Sequence, residues 1–273
     1  ACTGNFHGRT IAIVAMSDEA QYREGFGPFP PGFRLAEYGN IESLEAAIND
    51  NTAALLIEPI QGEGGILVPP KGYLKAAESL CRERNVLLIA DEIQTGLGRT
   101  GKLLACQHED VKPDGLILGK ALGGGILPVS MFLSRQDVME VFTPGDHGST
   151  FGGNPLAAVV GLEALNILID ERLAEQSAEM GAYLKSALEG IDSATIREVR
   201  GAGLFIGIEI DPAHGTAREV CEALLTRGLL SKETHETVVR LAPPLTISRA
   251  EIDWAIEQIS EVIAELDAVR LAS

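Results

Sequence analysis

Cysteine is scarce and scattered. The 273-residue chain has four, at Cys2, Cys81, Cys106 and Cys221, and none stands in CxxC spacing. That excludes a disulfide framework or a zinc ribbon as the organising principle and points to free thiols in a reducing compartment. The five histidines show no ligand spacing either, so no metal site is expected. No apolar run approaches the roughly 20 residues that a helix needs to cross a bilayer. Basic charge is in deficit, with 22 Lys and Arg against 39 Asp and Glu and a net charge of −17. Phosphate backbones and anionic lipid would be repelled by such a surface, which argues against nucleic acid and membrane as partners and leaves small molecules. With no leader pattern of basic then apolar residues at its start, a cytoplasmic protein is the expectation.

What is present is an alternation of short apolar runs and helical stretches. A chain of this length holds one large domain, or one with a smaller companion. Runs at 52–58, 86–91, 115–118 and 129–133, some separated by helical stretches such as 72–84, predict an α/β fold with a mostly parallel sheet. Pro155, one residue past a candidate Asn154 N-cap, opens a helical region running to about Leu188 with a break near Asp170. Beyond Ser193 the pattern changes to strands at 195–200, 203–210 and 237–241 and helices at 216–227 and 249–266, the signature of a smaller α+β unit. The predicted domains are therefore 1–170 and 171–273. The loop Gly25 to Gly32 (GFGPFPPG) reads as a fixed surface loop.

Two charged residues stand out against this frame. Val86-Leu87-Leu88-Ile89-Ala90-Asp91-Glu92 is a buried-strand run that ends in carboxylates, and Lys120 follows a second such run inside a glycine-rich turn, Leu118-Gly119-Lys120-Ala121-Leu122-Gly123-Gly124-Gly125. Ligands of open α/β sheets bind outside the carboxyl ends of the strands, so two strand tips could present Asp91 and Lys120 to one site. Pyridoxal phosphate chemistry wants this pair: a lysine amine for the cofactor aldehyde, and an aspartate that keeps the pyridine nitrogen protonated so that the ring can accept electrons. Gly96-x-Gly98-x-x-Gly101 formally matches a dinucleotide fingerprint, but the glycines do not follow the strand directly and no convincing helix pattern succeeds them. They read as glycines of a tight loop.

Asp91-Glu92-Ile93-Gln94-Thr95-Gly96-Leu97-Gly98-Arg99-Thr100-Gly101 followed by Gly119-Lys120-Ala121-Leu122-Gly123-Gly124-Gly125 resembles the signature of the class III, ornithine-type aminotransferases. Asn5-Phe6-His7-Gly8-Arg9-Thr10, Glu58-Pro59-Ile60-Gln61-Gly62-Glu63-Gly64-Gly65, His147 to Pro155 and Val239 to Leu245 extend the resemblance, in order, over almost the whole chain. It implies a fold-type I, aspartate aminotransferase-like large domain and a smaller C-terminal α+β domain. The chain starts at Ala1 without methionine, a few residues before the Phe-His-Gly-Arg motif. In the family that motif lies well inside the large domain, so a large domain incomplete at its N-terminus is expected, lacking much of the phosphate cradle.

The resemblance also assigns roles. Lys120 and Asp91 are the implied catalytic pair on pyridoxal 5'-phosphate. Phe6 stacks on the pyridine ring, Gln94 bonds the ring hydroxyl, and Ser149 and Thr150 reach the cofactor phosphate of a neighbouring subunit, which implies a homodimer or higher oligomer. Arg9 clamps a substrate carboxylate, a task for which the guanidinium fork is suited. Glu63 pairs with Arg240 while ornithine is bound and releases it to the carboxylate of 2-oxoglutarate. The implied reaction moves the δ-amino group of ornithine to 2-oxoglutarate, giving glutamate semialdehyde and glutamate. Ser231-Lys232-Glu233-Thr234-His235 resembles the ornithine enzymes more than the acetylornithine or 4-aminobutyrate ones. The alternatives are an acetylornithine or other ω-amino acid aminotransferase, and a catalytically incompetent fragment acting only in binding or assembly.

Overall fold

Short leucine- and isoleucine-rich strands bury both faces only when neighbours and helices cover them, and the computed structural model, which describes residues 1–271, meets that need in two separate units. The first comprises Ala1–Pro59, Pro69–Leu97 and Leu104–Glu171. Its helices are α1 (Ile11–Val14), α2 (Ala20–Arg23), α3 (Ile41–Ala47), α4 (Tyr73–Glu83), α5 (Gln136–Met139) and α6 (Pro155–Asp170). Its strands are β1 (Ala54–Ile57), β2 (Leu87–Asp91), β3 (Gly115–Leu118) and β4 (Met131–Ser134), in that spatial order. β1, β2 and β3 run parallel, and β4 closes the sheet antiparallel. The reason for the reversal is the connection: a parallel return needs a crossover, usually helical, whereas 119–130 holds only a 3₁₀ turn, Lys120–Gly123. The core lies between α4 and the sheet, where Leu74, Ala77 and Cys81 meet Leu55, Leu88 and Ala90.

α6 starts as its sequence dictates. Asn154 Oδ1 accepts the Ala157 N–H at 2.9 Å and Pro155 occupies the first turn, where its missing N–H is no loss. It ends at Arg172, whose φ of 54° lies in the left-handed region and breaks the helical path. All four cysteines are free and buried.

The second unit comprises Ile60–Val68, Gly98–Leu103 and the chain from Arg172 onward. It contains α7 (Leu173–Glu189), β5 (Ile196–Ala202), β6 (Phe205–Ile210), α8 (Ala217–Thr226), β7 (Lys232–Thr234), β8 (Val238–Leu241) and α9 (Arg249–Leu271). The sheet is antiparallel throughout, in the order β5-β6-β8-β7. Leu204, Ile206, Ile208 and Ile210 pack with Leu184, Leu188, Leu224 and Ile259 from the three helices. A single cut after residue 170 misses two segments of this unit. Ile60 and Ile66 pack on Phe205, and Arg99 donates to the carbonyls of Leu204 (3.0 Å) and Pro243 (2.6 Å). Neither tie has a local sequence signal. Among the described residues no helix is long and apolar enough to cross a membrane, and no group of three His, Cys, Asp or Glu could hold a metal ion.

Two mid-helix glycines make opposite predictions. A Cβ on Gly181 of α7 would meet the Gly203 carbonyl group at 2.1 Å, whereas on Gly161 of α6 it would meet the Leu122 carbonyl oxygen at 3.6 Å. Gly161→Ala is expected to stabilise by up to about 1 kcal/mol through helix propensity, and Gly181→Ala to destabilise by about 1–3 kcal/mol through overpacking. Urea unfolding of the two variants checks the signs.

Candidate active site

Three parallel strands end side by side, each followed by a functional group. Ile57 of β1 pairs with Ala90, and Asp91 of β2 pairs with Ile117 of β3, with neighbouring strands about 4.8 Å apart. Glu58 follows β1, Asp91 closes β2, and Lys120 follows β3 after Gly119. The acid and the lysine therefore stand on adjacent strand tips, at the end of the sheet where parallel folds bind ligands.

Asp91 is 4% exposed. Its Oδ1 accepts the Ile93 N–H at 3.1 Å, and its Oδ2 lies 2.7 Å from His7 Nδ1. A carboxylate accepts about four hydrogen bonds, so capacity remains for the N–H of a pyridinium. The His7 side chain is buried and its Nε2 has no partner, an orphaned polar atom beside a buried acid. Orphans of this kind call for a missing partner. Acid, orphan and lysine together fit a pyridine aldehyde cofactor.

Lys120 has φ 45°, a left-handed conformation costing a non-glycine residue about 1–3 kcal/mol. It follows an extended Gly119 and precedes Gly124 and Gly125, whose φ values of 57° and 73° complete the turn. Its side chain is exposed.

Phe6 is fixed through its backbone: its N–H donates to Glu58 Oε1 at 2.8 Å. The Glu58 backbone carbonyl and that of Pro59 in turn accept the Tyr38 hydroxyl at 3.1 and 2.9 Å. Burial, and after it the Glu58 charge, push the Tyr38 phenol well above the ordinary tyrosine range, so it remains a donor. The Phe6 ring meets Tyr22 edge-on at 5.8 Å, and Arg9 lays its guanidinium over Tyr22 at 4.1 Å. Such stacking is worth about 0.5–1 kcal/mol at an exposed site and leaves the donor edge of the guanidinium unspent. Arg9 and Tyr22 line a cleft of about 330 Å³ with Ile11, Val14, Phe26 and Phe29.

Gln94 sits half-buried in the turn after Asp91. That turn is pinned by fully buried Glu92, which accepts from Thr95 Oγ1 (2.6 Å) and from the Ala105 and Cys106 N–H groups (2.9 and 2.8 Å). Three donors offset the cost of burying the charge. Ser149 and Thr150 lie in the continuously exposed segment 139–153, and Ser149 Oγ accepts the Gly152 N–H of its own turn.

Glu63 and Arg240 meet inside the second unit. Arg240 Nη1 donates to Glu63 Oε1 at 2.5 Å, while Lys232 Nζ stands 3.2 Å from Glu63 Oε2. Burial alone would raise the Glu63 carboxyl; hydrogen bonds and charge from Arg240 and Lys232 outweigh it and hold the carboxyl below the ordinary glutamate range. The turn carrying Glu63 is anchored by Arg200 of β5, which donates to the Gly65 carbonyl at 2.8 Å and is itself paired with Glu198 and Glu209.

His7, Glu58, Arg200 and Lys232 were not singled out by the sequence. His7 and Glu58 lie inside the motifs of the resemblance, and neither carries a sequence signal of its own. Lys232 lies in the Ser231–His235 run of the resemblance without a role of its own there, and Arg200 has only its strand position, which sequence does not rank.

A mostly parallel sheet with acid and lysine on adjacent strand tips, joined in one chain to an antiparallel α+β unit, is the architecture of the fold-type I pyridoxal-phosphate-dependent transferases. The chain belongs to the class-III aminotransferases, whose family model matches residues 1–263. It is 59% identical over 263 residues to an ornithine aminotransferase of Exiguobacterium and 57% identical to one of Bacillus subtilis, covering 96% of this chain and 65% of each relative. It thus spans just under two thirds of the relatives' own length. A solved ornithine aminotransferase of Toxoplasma gondii superposes with a TM-score of 0.96 at 46% identity, covering 98% of this chain and 64% of that one. An acetylornithine aminotransferase of Elizabethkingia anophelis superposes with a TM-score of 0.82, also at 46% identity, covering 86% and 63%.

The depressed Glu63 value sets a pH prediction. A carboxyl whose folded value lies below its unfolded value, about 4.3 for glutamate, contributes stability that is complete above the unfolded value and is lost as pH falls through the folded one. Glu63→Gln is expected to destabilise the chain by about 1–2 kcal/mol at neutral pH. Urea titrations at descending pH should show that deficit shrinking only below the ordinary glutamate range.

Proposed function

We propose that the chain carries the reactive core of an ornithine δ-aminotransferase, which moves the δ-amino group of ornithine to 2-oxoglutarate with pyridoxal 5'-phosphate as cofactor. The observation that carries this reading is the Glu63–Arg240 contact. A carboxylate that already neutralises the arginine disfavours a second carboxylate while the diamine substrate is bound, and makes room for one when it lets go. When bound, the cofactor supplies an electron sink for negative charge developing at the substrate carbon. Everything else falls to the chain. Lys120 anchors the cofactor and, once displaced, moves a proton to and from the δ-carbon as a general base and acid. Asp91, oriented by His7 and the Ile93 N–H, holds the proton on the pyridine nitrogen. Phe6 stacks against the ring, and Gln94 bonds its hydroxyl. Arg9 binds the α-carboxylate of ornithine. After the first half-reaction Glu63 releases Arg240, which takes a carboxylate of 2-oxoglutarate.

Ser149 and Thr150 serve the phosphate of a second copy in this reading. Exposed apolar residues along α6, Leu156, Val159, Leu162 and Ile169, support a covering subunit. Free, buried thiols suit the cytoplasm. N-acetylornithine as substrate is the second reading, favoured by the likeness to an acetylornithine aminotransferase.

Reduction with borohydride in the presence of pyridoxal 5'-phosphate, followed by peptide mapping, should yield a phosphopyridoxyl adduct on Lys120 that is absent in Lys120→Ala. No adduct on Lys120 would mean that the chain is an incompetent fragment. Steady-state rates should favour ornithine over N-acetylornithine, and the reverse preference would select the second reading. Arg9→Met should raise KM for ornithine about tenfold or more, the scale of a lost charge-assisted hydrogen bond.

A further inference from the structure

Glu63 is shared between two cations, and the second has no part in the exchange so far described. Lys232 and Arg240 are direct cross-strand partners in the β7–β8 pair. Like charges placed opposite one another on antiparallel strands repel. Here the Glu63 carboxylate relieves the conflict by giving Oε1 to Arg240 Nη1 at 2.5 Å and Oε2 to Lys232 Nζ at 3.2 Å.

This division has a consequence for Arg240. An arginine fork normally grips a carboxylate through both oxygens at once, and that bidentate geometry is its strong form. Arg240 engages Glu63 through Nη1 alone, because the other oxygen belongs to Lys232. The two cations also differ in setting: the Arg240 side chain is 15% exposed and the Lys232 side chain 59% exposed. The half-buried arginine therefore holds its partner by one point, and the exposed lysine offers that partner a second place to stay.

We propose that Lys232 is a positioning residue for the Glu63–Arg240 pair, keeping Glu63 in single-point contact and retaining it when Arg240 turns to the carboxylate of a dicarboxylate substrate. The inference rests on the reading of Arg240 as a carboxylate receptor. Lys232 thereby sets the balance between the two half-reactions: without it Glu63 can close on Arg240 with both oxygens, and the dicarboxylate must displace a tighter competitor.

The test uses glutarate, a dicarboxylate with neither amine nor ketone, so that binding is read without turnover. Calorimetric titration of the 273-residue chain, supplied with pyridoxal 5'-phosphate, compares wild type, Lys232→Met, Lys232→Arg, Glu63→Ala and the double variant Lys232→Met/Glu63→Ala. Lys232→Met should weaken glutarate binding about two- to fivefold, the scale of a partly exposed ion pair, and Lys232→Arg should restore it. Glu63→Ala should tighten binding, and in that background Lys232→Met should change nothing, because its effect passes through Glu63. The same weakening in both backgrounds would make Lys232 a direct charge on the ligand and overturn the proposal. Wild-type affinity in Lys232→Met, with Glu63→Ala still tighter, would overturn it while leaving the Arg240 reading intact. Glutarate binding to neither wild type nor Glu63→Ala would remove the Arg240 reading and this inference with it.

Discussion

A carboxylate buried at the end of a strand is the constraint on which the first unit depends. Asp91 is almost fully withdrawn from water, and an ionised group there is tolerated only where donors surround it. The Ile93 N–H comes from its own turn, but the imidazole of His7 comes from a segment distant in sequence. Bringing His7 to Asp91 draws the whole N-terminal stretch over the strand tips. Asn5 Nδ2 bonds the carbonyls of Cys2 (2.5 Å) and Met16 (2.8 Å), and the Phe6 N–H bonds Glu58. The aromatic ring and the arginine that follow are thus carried by the same fixed segment that serves the acid. Fold and site share one set of hydrogen bonds here.

The second unit is governed by an analogous electrostatic constraint. Two cations face each other across β7 and β8, and one carboxylate from the turn at Gly62–Gly65 lies against both. The turn is held by Arg200, whose guanidinium spans its carbonyls and two neighbouring glutamates. On the proposed reading, a carboxylate that reaches Arg240 exchanges with Glu63, like for like.

Much of this was legible in the sequence, and the boundary of legibility is physical. Apolar runs with helices between them announce parallel strands, so β1, β2 and β3 and the helices α4, α6 and α7 follow from periodicity and caps. Lys120 and Asp91 stand out because strand tips ending in charge are uncommon and their chemistry is specific. Phe6, Gln94, Arg9, Glu63 and Arg240 carry no such signal and came only through resemblance. β7 was missed because Lys232-Glu233-Thr234 has no apolar alternation: its pairing with β8 is decided by the partner strand. The antiparallel turn of β4 depends on what the connection lacks. His7 looks like any motif histidine until the fold brings it to Asp91, and the membership of Ile60–Val68 and Gly98–Leu103 in the second unit rests on contacts with residues more than a hundred positions away.

The assignment of Asp91 as the partner of a pyridine nitrogen carries the rest of the site, and nitrogen NMR reads it directly. Pyridoxal 5'-phosphate labelled with ¹⁵N in the ring is added to the chain and its resonance followed with pH. A bound signal at the pyridinium position that persists to pH values where the free cofactor is neutral, and that loses this persistence in Asp91→Ala, is the expected result. A bound signal that titrates with the free cofactor, in the presence or absence of the Asp91 carboxylate, would contradict it.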